Sequence, residues 1–358
     1  MLAARAIVAT AVLALGTSAL IQAQEIPRTP SGRPDLSGTY DIATLTPLQR
    51  PERFGDTLEL SEEEAAAVAR QEFERNAQRN EASDPNREAP PVGGDGSPGA
   101  AGNVGGYNTF WIDRGAGAFQ IDGQWRTSII TDPPNGRQPP RTAEARARAA
   151  ERAASFRPNT GTAWWMIENG LDAPGPYDDP EIRPLAERCL LGFGSTAGPP
   201  MLPVLYNNLK RIIQTDDYVM ILVEMVHDAR IVRMNEEHAP PEIRNWLGDS
   251  VGRWEGDTLV IDTTNFNDTP ALRGATRDLH VVERFTRIDA DNLLYQFTVE
   301  DPNVWTAPWS GEYIWPTSDT RVYEYACHEA NYSFRGILGG ARILEQDVRE
   351  GRVPDPPQ

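Results

Sequence analysis

From Leu209 onward, apolar and polar positions alternate in short runs separated by turn residues, the period-two pattern of strands that bury one face. Eight runs read this way: 209–215, 219–225, 229–234, 253–254, 258–266, 279–288, 292–300 and 312–315. Gly256-Asp257 and Asp289–Asp291 stand between such runs and fit tight hairpin loops. No helical pattern intervenes, so the strands are expected to pair antiparallel in chain order. A meander of this size closes most economically into an up-and-down barrel, which leaves no exposed edge.

Upstream the pattern is mixed. Residues 39–42 read as a strand within a turn-rich stretch, and Ser61-Glu62-Glu63-Glu64 spells a capping box that opens a helix to about Asn80. The polar, low-complexity stretch 81–106 reads as a loop, followed by short strands at 107–113, 118–121 and 125–131. Thr142 is placed to cap a second helix through Ala154, and the chain is then irregular to Pro203. Phe334, Ile337, Leu338, Ile343 and Leu344 suggest a short final helix against the barrel. The organisation expected is a leader over 1–23, an N-terminal extension over 24–106 and a barrel-containing domain over 107–358. A split into two domains near residue 200 is the alternative.

Composition sharpens this picture. Gly and Pro, 30 of each in 358 residues, disfavour long uninterrupted helices. The 34 basic against 52 acidic residues give a net charge of −18, which repels phosphate backbones and anionic lipid, so no nucleic-acid partner is expected. Residues 1–23 hold no acid: Arg5 opens them, Ala6 to Leu20 are mostly apolar, and Ile21 and Ala23 fit a cleavage site. That is the pattern of a secretory signal, and it predicts a periplasmic or extracellular protein. No later stretch approaches the ~20 apolar residues of a membrane-spanning helix, so no membrane insertion is expected. In an exported chain, Cys189 and Cys327 could form one disulfide or remain as buried thiols. Lys210 is the only lysine, so Schiff-base chemistry and a phosphate-loop lysine share one candidate, and no glycine-rich loop precedes it.

The hairpin Gly252-Arg-Trp-Glu-Gly-Asp-Thr-Leu-Val260, with Glu283-Arg-Phe-Thr and Asn292-Leu-Leu-Tyr-Gln-Phe-Thr298, resembles the repeating hairpins of lipocalin-like, calycin-type barrels. The resemblance implies that Trp254 covers one barrel end. It makes the expected fold mainly β: a lipocalin-like antiparallel up-and-down β-barrel with an elaborated, partly helical N-terminal half. More broadly, PDLSG, RTSIITDPPNGR (126–137), AGPPMLPVLYNN (197–208), EMVHDARI (224–231), GDSVGRWEGDTLVIDTTNF (248–266), LHVVERFTRIDAD (279–291) and YEYACHEANY (323–332) resemble a family of uncharacterised exported bacterial proteins, which brings no reaction with it. Thr39-Tyr40 departs from that pattern, where a tryptophan is expected.

Strand parity selects the candidate chemistry. Glu283 shares a face with Leu279, Val281 and Phe285, whereas His280 lies on the other face, so His280 and Glu283 do not form a metal pair. Glu224 stands among Met220, Leu222 and Val226. His227-Asp228-Ala229-Arg230 occupies a turn from which an imidazole could reach the barrel mouth. On this reading His227 transfers a proton, Asp228 orients it, Arg230 stabilises an anion, and Glu283 or Glu224 is the second carboxylate. His328 and Glu329 are alternates from the opposite rim. The bland reading is that Asp228 pairs with Arg230 or caps the turn and that His227 is a satisfied interior histidine.

Trp305, Trp309, Tyr313, Trp315, Tyr323, Tyr325 and Tyr332 form an aromatic group that could serve as a platform for sugar or phenolic rings or simply fill the barrel end. Tyr206, Asn207 and Asn208 offer polar contacts to a ligand, or backbone caps. A metal would need histidines from separate strands, and none is assigned. Acidic residues at Asp249, Asp257 and Asp289–Asp291 suit turns better than a calcium site. No cofactor is expected: no dinucleotide-binding GxGxxG and no GxSxG nucleophile elbow is present. The function expected is an exported, metal-independent acid–base enzyme (lyase, isomerase or hydrolase) for a small organic or glycosidic substrate. The alternatives are a lipocalin-like small-molecule binding protein and an envelope interaction module with an aromatic rim.

Overall fold

The alternation in the C-terminal half becomes one curled sheet. In the computed structural model, which describes residues 26–81, 86, 112–155, 161–192 and 196–352, all eight expected strands are present. They are β6 (Leu209–Gln214), β7 (Tyr218–Val223), β8 (Ala229–Met234), β9 (Asp249–Glu255), β10 (Thr258–Thr264), β11 (His280–Arg287), β12 (Asn292–Glu300) and β13 (Trp309–Pro316). Two N-terminal strands, β1 (Gly38–Asp41) and β5 (Ile130–Asp132), extend the sheet to ten in the order β1-β6-β7-β8-β9-β10-β11-β12-β13-β5. Short strands β2 (Glu59–Leu60), β3 (Gln120–Ile121) and β4 (Gln124–Arg126) make a second, three-stranded sheet.

Two features depart from a closed antiparallel meander. First, β8 and β9 run parallel, with Val232 opposite Ser250. The connection 235–248, which holds Pro240 and Pro241, is long enough to return the chain to the starting edge, which a tight hairpin cannot do. Second, the sheet is a half-barrel with β1 and β5 at its ends; β1 approaches the end of β13 through a single bridge, Tyr40 to Thr317.

The concave face is a core. Along β11, β12 and β13 every second residue is buried, among them Phe285, Tyr295, Phe297, Trp309, Tyr313 and Trp315. Gly311 occurs in this stripe because Phe297 needs the space: a Cβ there would lie 2.6 Å from the Phe297 ring. Tyr40 fills its own position fully buried, with its hydroxyl donating to Leu36 O at 2.8 Å. Trp254 packs on the edge of this core beneath the Arg33 guanidinium. Gly256, at φ +62°, makes the adjacent turn.

The helices follow their sequence signals at their N-termini. Helix α1 (Glu62–Arg79) starts at the Ser61/Glu64 capping box, and Thr142 Oγ1 accepts from Ala145 N at the start of α2 (Ala143–Ser155). Helix α3 (Trp164–Asn169) lies in the stretch expected to be irregular. Helix α4 (Tyr332–Arg349) is longer than expected and packs on α3 rather than on the barrel. Its Ala341, Leu344 and Val348 meet Trp164, Trp165 and Met166 in a separate small core. The Cys189–Cys327 disulfide forms, with Cα atoms 5.7 Å apart, and ties the chain after α3 to the segment that leads into α4. The leader, nearly all of the 81–106 loop and the strand expected at 107–111 lie outside the described residues. No helix among the described residues is long and apolar enough to cross a membrane.

Candidate active site

At the β1–β6–β7 end of the half-barrel, the pleat turns Lys210 onto the concave face, with Ile212 next along that face. Tyr40 and Val223 stand opposite it on the two neighbouring strands. Lys210 is 0% exposed, and its Nζ has no hydrogen-bond partner among the described residues. Burial depresses the amine pKa to about 7; the negative charges of Glu224, Asp228 and Asp41 oppose that shift without cancelling it. A lysine so placed divides between amine and ammonium near neutrality and can act as a base or nucleophile.

The carboxylates arrive through a strained turn. After β7 the chain makes a short 3-10 turn in which Val226 (φ +58°) and His227 (φ +45°) are both left-handed. A β-branched residue in that region is a true outlier, and such strain gathers at functional sites. The turn is held by Val223 N to Asp228 O at 2.8 Å and Glu224 N to Leu209 O at 3.1 Å. It presents Glu224 and Asp228 to the Lys210 side of the sheet.

The Glu224 carboxylate is buried and accepts from Tyr323 N at 3.0 Å. Asp228 accepts from the Thr196 hydroxyl at 2.8 Å. Burial pushes the Asp228 carboxyl upward; the Thr196 hydrogen bond and the positive charges of His227 and Lys210 pull the other way. Asp41 is raised too, by burial first and by the charges of Asp113 and Glu224, while the Ala43 backbone N–H and Lys210 oppose. The apolar wall is Ala197, Val223, Met225 and Val226, with Tyr206, Leu247 and Tyr325 packed against it. A depressed amine beside raised carboxyls is the pairing that exchanges protons near neutral pH.

The residues singled out in the sequence divide among several places. Arg230 and Glu283 meet, but inside the aromatic core at 3% and 0% exposure, rather than at an opening. Asp228 therefore pairs with Thr196, not Arg230. His227 is exposed on the strained turn, and His328 and Glu329 are exposed beyond the disulfide, so the four groups expected around one mouth do not converge. Glu224 acts on Lys210 through its charge, and Tyr206 and Tyr325 pack against the apolar cluster that contains Val223, the cross-strand neighbour of Lys210. Trp305 and Trp309 are buried core. Asn208 is a backbone cap, accepting from Val204 N at 2.8 Å and donating to Asp113 O at 2.8 Å, and Asn207 takes the left-handed position beside it.

His238 is only partly exposed, held between Asp249 and Asp262 at 2.9 and 3.0 Å. Asp257 binds Arg28, and Asp289 closes its own turn through Asp291 N. No group of three or more His, Cys, Asp or Glu side chains among the described residues is arranged to hold a metal ion.

Lys210 is the residue that the site reading from sequence passed over. Its signal was there: a solitary lysine in an arginine protein, at the start of an apolar strand and on the parity of Ile212. No family model, curated protein or solved structure matches the chain.

Proposed function

We propose that the protein is an exported acid–base enzyme acting on a small organic or glycosidic substrate through its own side chains, with Lys210 as the proton acceptor or nucleophile. Asp228, held by Thr196, supplies the acid, and Glu224 offsets the charge that develops on the amine. His227 stands on the rim of the same turn as an auxiliary proton carrier. The observation that carries this reading is the fully buried Lys210 amine without a hydrogen-bond partner, next to the left-handed turn at Val226 and His227. A protein keeps a buried amine of that kind at a cost in stability, which function can justify.

Export and kinship with exported bacterial proteins belong to the same proposal. The acid-free apolar leader supports them, and so does the Cys189–Cys327 disulfide, a bond that persists in oxidising compartments. A lipocalin-like carrier ranks second, because aromatic side chains fill the concave face where a lipocalin barrel holds its ligand.

The singular lysine makes the test direct. In protein carrying ¹³Cε-lysine, one side-chain resonance reports Lys210, with an expected titration midpoint near pH 7. A midpoint near the ordinary value of about 10.4 would overturn the assignment. In a panel of small organic and glycosidic substrates, turnover by the wild type should vanish in a folded Lys210→Met variant; retained turnover overturns it equally.

A further inference from the structure

Away from Lys210, a cleft of about 850 Å³ opens between the first half of α4 and the segment 177–190. Its volume is in the range of small-molecule sites. Tyr177, Leu190, Phe334 and Leu338 supply an apolar lining, with Arg188, Arg335, Arg342 and His328 as the basic groups and Asp178 as the one carboxylate. Asp178 is already taken by Arg342 at 2.8 Å.

The other basic side chains are barely used. Arg188 makes one long contact, 3.4 Å, to Glu181 O. Arg335 and the His328 ring have no hydrogen bond or ion pair among the described residues. Uncompensated guanidinium groups beside aromatic faces, on a chain of net charge −18, concentrate positive potential where the rest of the surface is negative. The walls are fixed in advance. Cys189, between Arg188 and Leu190, is bonded to Cys327, next to His328, and Asn331 Nδ2 donates to Glu187 O at 2.8 Å.

We infer that this cleft is a binding site for an aromatic carboxylate: the ring lies against Phe334 and Leu338, with Tyr177, whose ring is already engaged by Arg183 and Trp165, at its margin, and the carboxylate is held by Arg335 and Arg188, guanidinium being the group whose fork matches a carboxylate. The site is separate from Lys210 and requires no turnover.

Calorimetric titration of the full chain tests it, with benzoate and indole-3-carboxylate as probes and benzamide and inorganic phosphate as controls. The carboxylates should bind the wild type and the Lys210→Met variant alike. Arg335→Met and Arg188→Met, each changing a side chain with little or no bonding in the fold, should each weaken binding by about tenfold or more. Binding of benzamide as tightly as benzoate would overturn the inference, as would phosphate binding as tightly as the aromatic probes. Loss of binding in Lys210→Met alone would place the ligand elsewhere and overturn it too. Failure of the lysine titration leaves this result untouched, so the two proposals are separable.

Discussion

Arg230 grips Glu283 through two hydrogen bonds, 2.6 and 2.9 Å, with both side chains sealed inside the aromatic core of the half-barrel. Tyr295 adds a third bond, its hydroxyl donating to Glu283 Oε1 at 2.7 Å while accepting from Met201 N at 3.0 Å. Tyr313 donates to Met201 O, so the pair also anchors the 199–203 segment across the end of the sheet. Breaking such a pair strands a buried charge. Glu283→Gln is expected to lower the unfolding free energy by about 3–5 kcal/mol in urea titrations, with Arg230→Met/Glu283→Leu recovering much of it. A near-neutral Glu283→Gln would mean that the charge is not sealed.

Lys210 should leave a mark on stability. Its folded pKa lies below the unfolded value, so the unfolded chain binds more protons between the two and stability rises with pH through that window, from about pH 7 to about 10.4. Lys210→Met removes the slope. The variant is expected to exceed the wild type by roughly 4 kcal/mol at pH 7 and to converge with it near pH 10. Urea midpoints at several pH values check this, and parallel curves would contradict it.

His227 is exposed at φ +45°. Glycine removes the left-handed penalty of about 1–2 kcal/mol and adds unfolded-state freedom of about 0.4–1 kcal/mol, so His227→Gly should be more stable by about 0.5–1 kcal/mol. A thermal scan reads the difference; clear destabilisation would show that the imidazole holds the turn.

On the convex face, Asp262 accepts from His280 at 3.1 Å and from His238 at 3.0 Å, with Asp249 and Arg233 beyond. The hydrogen bond from His280 holds the Asp262 carboxyl low, and the same bond raises the imidazole against its partial burial. The His280 contribution is therefore complete below about pH 6.5 and fades as pH climbs through its raised folded value, while that of Asp262 is complete above about pH 3.9 and fades on acidification. The gap in urea midpoint between wild type and His280→Ala should be widest near pH 5–6 and narrow above neutrality. A constant gap would contradict the assignment.

The disulfide closes a span of 138 residues. Loop-closure entropy for a span of that size sets an upper contribution of about 5 kcal/mol, and Cys189→Ser/Cys327→Ser is expected to lose about 2–5 kcal/mol. Limited proteolysis of the double variant should cut first within 185–192, the stretch that holds Cys189 and belongs to no regular helix or strand. Unchanged urea midpoints and cleavage elsewhere would count against this.

Local chemistry made much of the fold legible. The alternation in Asn292–Glu300 needs one buried face, and the Ser61 capping box needs a helix start; both signals lie in neighbouring residues, and both elements form where they do. Parity likewise put Glu283 inward and His280 outward. What the alternation could not specify was the partner of each strand. Whether β9 pairs with β8 as a hairpin or in parallel depends on where the 235–248 connection leads, which is a matter of tertiary packing.

The same limit governed the site. Arg230 was readable as a charged residue at a turn, but only the curl of the sheet decided that it would reach Glu283, 53 residues away, and not its neighbour Asp228. Residue order alone shows which groups are scarce and which way they point: one lysine, on the inward parity of its strand. Only the tertiary structure sealed that amine from water and set carboxylates from β1 and the 224–228 turn around it, because desolvation and Coulomb interaction depend on distances in space that no spacing along the chain encodes.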